Sequence, residues 1–165
     1  MNVLADRIRS CDYLYLDSLT EPSANVVKII LLEAKAVSPV DTDKVASEYN
    51  LPELRSILAG SRNIEHSPGC SRFELVWETY IAYSIVNESY SNGEPDTSVA
   101  VGGQRLFVEF SRSQYLEYLA KASFASADYP GPYRHWAIYC QDHTIDIASQ
   151  AEPVIREIGS DDSLR

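Results

Sequence analysis

No cluster of lysine or arginine occurs anywhere in this 165-residue chain, whose 14 basic side chains are outnumbered by 24 acidic ones for a formal net charge of −10. Nucleic acids and anionic membranes are held by basic side chains that neutralise phosphate, so neither is an expected partner. Regularly paired cysteines are lacking too. Cys11, Cys70 and Cys140 are odd in number and far apart, unlike the dense, even set of a secreted disulfide framework, and the expectation is reduced thiols in a cytoplasmic protein. The N-terminal MNVLADRIRS has no apolar core after a basic start, so no signal peptide is expected. The longest apolar stretch, VVKIILLEAKAV, is too short to span a bilayer and carries Lys28 and Glu33.

The motifs of nucleotide and hydrolase chemistry are missing as well. Gly102-Gly103 is an isolated pair outside any phosphate-binding loop, and neither G-x-S-x-G nor H-E-x-x-H occurs. No cofactor is therefore expected. What is present is the balance of an ordinary globular protein, 45% hydrophobic and 23% charged, at a length that buries a self-sufficient core. No repeat or linker divides the chain, which reads as a single α+β domain over 1–158 with a frayed tail over 159–165.

Strand periods dominate. DYLYLDS and VVKIILLEAKAV, joined by SLTEPSAN (18–25), read as an antiparallel hairpin. Asp41 or Thr42 caps a short helix through Tyr49, Pro52 opens a second helical turn, and Gly60 stops it. After a loop over 63–72, Phe73 to Tyr90 alternates Phe73, Leu75 and Trp77 against Glu74, Val76 and Glu78. Its length calls for a bend near Tyr80 to Tyr83. A polar connection over 91–104 leads to a strand, RLFVEF (105–110). Ser111 with Gln114 makes a capping box, and the main helix is placed at about 111–125, with Tyr115, Leu116, Tyr118, Leu119 and Ala122 on its apolar face. Pro153 suits the first turn of a last short helix, EPVIREI. The sum is a mainly antiparallel sheet of roughly five to seven strands with helices packed on it.

The stretch YRHWAIYCQDHTIDIAS (Tyr133 to Ser149) gathers two histidines, a cysteine and two aspartates. Cys140-x-x-His143 has zinc-compatible spacing, but zinc needs about four ligands and no second such pair exists, so no metal is expected. Trp136, Ile138 and Cys140 alternate inward, Gln141-Asp142 makes a turn, and Ile145 and Ile147 return on a second strand. Cys140 then reads as a small buried hydrophobe rather than a nucleophile. Glu74 and Glu78 read as the wet side of a strand.

The 11 tyrosines, against 4 phenylalanines, carry more weight, because tyrosine joins large contact area to a polar tip. If the long strand pairs near the 133–140 strand, Arg62, Tyr83, Glu88 and His135 converge at one end of the sheet as a ligand or partner site. A small, acidic, α+β plan without catalytic motifs is broadly similar to single-domain bacterial immunity proteins, which bind and neutralise a toxin. The likeness covers size, charge and style, implies a binding role, and transfers no residues. The leading expectation is a non-enzymatic protein-binding domain with an acidic, Tyr-rich surface against a basic protein partner. A small-molecule-binding or weakly catalytic domain with a polar site near His135 is the alternative, and a homo-oligomer pairing sheet edges is a third reading.

Overall fold

The computed structural model describes residues 2–93 and 97–159, so most of the expected tail lies outside the described residues. The α+β class expected from the sequence is what the structure has, with one difference in plan: the strands form two five-stranded antiparallel sheets rather than one. The first runs β1 (Tyr13–Ser23), β2 (Val26–Pro39), β4 (Arg72–Trp77), β10 (Val154–Ile158), with β3 (Arg62–Glu65) paired to the far part of β2. The second runs β5 (Ala82–Asn87), β9 (His143–Ser149), β8 (Arg134–Tyr139), β7 (Phe107–Arg112), β6 (Val99–Gln104).

The core lies between the sheets, and strand parity fills it. From the first sheet come Val27, Ile29 and Leu31 on β2, which oppose Trp77, Leu75 and Phe73 on β4. From the second come Trp136 opposite Ile147 and Ile138 opposite Ile145. Trp77 and Trp136 meet edge to face across the gap, ring centroids 6.2 Å apart. The β1–β2 hairpin is tighter than the expected loop, since pairing continues to Ser23 and Val26 around Ala24 and Asn25, with Asn25 at φ 63°.

Three further expectations are corrected. The run from Phe73 to Tyr90 is not one bent strand: β4 belongs to one sheet and β5 to the other, with the crossover between Glu78 and Ile81. EPVIREI is strand β10, because its β-branched alternation lets Ile155 reach the core beside Leu75 while Pro153, ahead of an edge strand, removes no ladder bond. The main helix, α4, spans Gln114–Ala122 and is capped by Ser113, not Ser111. Asp41 does cap α2 (Thr42–Glu48), accepting from the Lys44 N–H at 3.0 Å, and α3 (Leu54–Ile57) follows Pro52.

An N-terminal helix, α1 (Val3–Ser10), was not expected. Asn2 caps it, and Ala5 and Ile8 plug the space between the sheets. Two arginines tie it down on both sides. Arg7 donates to Ser71 at 2.9 Å and to Glu157 of β10 at 2.8 Å, and Arg9 donates to the Phe107 carbonyl of β7 at 3.2 Å. Arg7 and Ser71 hold the Glu157 carboxyl below its ordinary 4.5. A depressed carboxyl contributes stability that is complete above the ordinary value and is lost as pH falls through the folded one. Amide protection over residues 3–10, taken relative to the intrinsic exchange rate at the same pH, is therefore expected to fall on acidification below about pH 4.5, and to be reduced already at neutral pH in Glu157→Gln. Unchanged exchange in that variant would mean the tether holds nothing.

Candidate functional site

The register that sends Trp136 and Ile138 inward sends His135, Ala137 and Tyr139 to the outer face of the second sheet. His135 sits between Phe110 and Ala148 there, with Ala82 next beyond. Asp146 lies between Ala137 and Ser84, and Thr144 between Tyr139 and Val86. Helix α4 packs on the first of these rows, and its Tyr115 also reaches Ser84 in the second. Its cap brings the Ser113 hydroxyl to 2.9 Å from His135 Nδ1, while His135 Nε2 lies 2.9 Å from Asp146 Oδ1. The imidazole is stacked on Phe110 at 5.3 Å and met by Tyr115 at 5.2 Å, and it has no exposure to solvent.

Ser113 Oγ accepts from the Leu116 N–H at 3.2 Å and shares a hydrogen bond with His135 Nδ1, while the acceptor-only carboxylate of Asp146 fixes a proton on Nε2. Nε2–H then donates to Asp146, whose other oxygen accepts from the Ser84 hydroxyl at 3.1 Å. The order Ser–His–Asp is that of acyl-transfer triads, but the access is reversed. Ser113 is only 1% exposed and is spent on the helix cap, while the carboxylate is the end that meets open space. The row thus orients Asp146 rather than activating Ser113.

Open space lies beside α4, over the Asp146 and Thr144 rows. A cavity of about 310 Å³ has Asp146, Ser84 and Thr144 in its lining, together with Tyr90, Tyr115, Tyr118 and Tyr139. A second hollow of about 400 Å³ shares Ser91, Gly93, Tyr139 and Thr144 with it and runs on to Glu88. The two form one groove with a carboxylate toward either end. Burial, with the Asp146 charge adding to it, pushes the Tyr115 hydroxyl well above the ordinary 10, so this phenol stays neutral. Among the described residues lining the groove there is no lysine or arginine.

The sequence-predicted site residues fall on different parts of the molecule. Arg62 opens β3 on the first sheet, where its guanidinium donates to the Val37 carbonyl. Tyr83 packs against the core on the inner face, opposite in parity to His135, and its hydroxyl donates to Glu21 at 2.8 Å beside that of Tyr80 at 2.9 Å. The bond to the Glu21 carboxylate, followed by burial, raises both phenols. Glu88 begins a one-turn helix after β5 and reaches the groove at the end away from His135. The pairing that was to bring the four together does not form, because β9 lies between β5 and β8.

Cys140 is buried with Trp136 and Ile138, and burial pushes its thiol up to about 12. Among the described residues no three histidine, cysteine or acidic side chains stand close enough to hold a metal ion. Asp146 and Ser113 were not singled out from the sequence. One signal was available: Asp146 is a carboxylate between Ile145 and Ile147 in mid-strand, where a charge needs partners on the opposite face. No family model, curated protein or solved structure matches the chain.

Proposed function

We propose that this chain is a protein-binding domain that receives a basic segment of a partner in the tyrosine-rich groove on the outer face of its second sheet. The observation that carries the reading is the cavity itself, which tyrosines line together with the Asp146 carboxylate and which, among the described residues, holds no lysine or arginine. Tyr90 and Tyr118, at 80% and 62% exposure, offer aromatic area to a partner at the cavity they line. The net charge of −10 would draw a basic partner and speed encounter. Neutralising a basic toxin, as an immunity-like protein does, is one form such a role takes.

The test is capture from the protein's own host with the wild type and with a Tyr90→Ser/Tyr118→Ser variant. A partner retained by the wild type, lost by the variant, and associating more slowly as salt is raised is the expected result. Equal capture by both proteins, no capture by either, or salt-independent association overturns the reading. A small-molecule site is the second reading, and a specific observation favours it: about 310 Å³ lies at the lower end of ligand cavities. A small bound mass seen by native mass spectrometry of the protein from its host would support that reading instead.

A further inference from the structure

We infer that the deep end of the groove is a socket for the guanidinium of one arginine side chain of the partner, with Asp146 as its anion and the surrounding tyrosines as its walls. The inference rests on the protein-binding reading above and names the chemistry of the group that the groove takes.

A carboxylate offers about four lone-pair positions, of which His135 and Ser84 use two. The rest are left on a group that lines the cavity and is itself only 16% exposed. Among the described residues lining the cavity, no lysine or arginine supplies a compensating charge. Burial on one side and the Ser113–His135 row behind it hold the carboxylate in a single orientation, which favours a guest that needs fixed geometry. The walls favour the same guest. Tyrosine faces attract a cation, and a planar, weakly hydrated guanidinium both stacks on rings and forks onto a carboxylate. An ammonium is a strongly hydrated point charge and gains less from such walls. Size agrees, since a cavity of about 310 Å³ suits one side chain rather than a large cofactor. The shared residues that continue the groove toward Glu88 give the flanking peptide somewhere to lie.

The experiment is a titration of the full chain, followed by amide NMR and calorimetry, with blocked Gly-Arg-Gly, blocked Gly-Lys-Gly and free arginine. The arginine peptide is expected to shift the amides of Ser84, Tyr115, Tyr139, Thr144 and Asp146, and to bind about tenfold more tightly than the lysine peptide. Tyr118→Leu, at an exposed helix position, is expected to weaken it about five- to tenfold, and Asp146→Asn to abolish it. An unchanged amide spectrum away from the groove guards against misfolding of the Asp146 variant; should that variant fail to fold, Tyr118→Leu decides. Absence of those shifts, equal binding of the lysine peptide, or full binding by Tyr118→Leu overturns the socket. Tighter binding of free arginine than of the peptide also overturns it, by making the guest a small molecule. The two readings fail separately: a partner lost by the Tyr90/Tyr118 variant while the arginine peptide stays unbound keeps the protein-binding role and removes only the socket.

Discussion

His135→Ala is expected to destabilise the fold by about 3–5 kcal/mol, the cost typical of emptying a core site and breaking buried hydrogen bonds together. The imidazole has no solvent exposure and is held between Phe110 and Tyr115. Removing it leaves a hole, strands the Ser113 hydroxyl, and withdraws the donor from Asp146 at once. For a chain of this size the midpoint of thermal unfolding should fall by roughly 6–20 °C, at about 2–4 °C per kcal/mol. His135→Phe restores the ring volume but not the hydrogen bonds, and should recover only part of the loss. In a double-mutant cycle with Ser113→Ala, the two changes should fall short of additive, since both break the same row. A drop of under about 1 kcal/mol for His135→Ala would show that the row bears little weight.

Gly103→Ala is expected to cost about 3 kcal/mol or more, by a mechanism separate from that row. Gly103 lies at φ 79° near the end of β6, and a Cβ there would stand 2.2 Å from the Phe107 carbonyl oxygen and 2.7 Å from Arg9 Nε. The first contact is with backbone, so no side-chain rotation relieves it. The second displaces the arginine that ties α1 to β7. The β6–β7 hairpin and the helix should therefore loosen together, seen as faster amide exchange over 3–10 and 99–107 alongside the loss of stability. Gly102→Ala is a useful contrast. Its Cβ would meet the Glu109 carboxylate at 2.8 Å, the far end of a flexible side chain, so the strain there can relax. Equal costs at the two positions would contradict the backbone explanation.

Local pattern fixed more of this molecule than it did of the site. The inward alternation of Phe73, Leu75 and Trp77, the Trp136/Ile138/Cys140 set, the hairpin that returns through Ile145 and Ile147, and the Asp41 cap all follow from side-chain period and capping chemistry. Sheet membership does not follow from them. β4 and β5 each alternate correctly by themselves, and nothing local says that the chain changes sheets between them. Ser111 and Ser113 are both reasonable caps by spacing. Ser113 takes the role where its hydroxyl also finds His135, a contact set by a strand 22 residues away. Pro153 suits the first turn of a helix and the start of a strand equally, and the free edge of β4 decides for the strand. The four-residue site expected from the sequence needed a pairing that β9 prevents, whereas the groove depends on how α4 docks beside the outer rows of the sheet.

Cys11, Cys70 and Cys140 are all buried and none forms a disulfide, and they occupy three separate places: the end of α1, the loop before β4, and the turn from β8 to β9. A thiol reagent reacts slowly with each of them until its neighbourhood loosens, because burial leaves the sulfur little exposed and, at Cys11 and Cys140, keeps it protonated. The natural chain thus carries three independent clocks of local opening without any introduced label. One times the helical plug, one the approach to the central strand, and one the hairpin that carries Asp146.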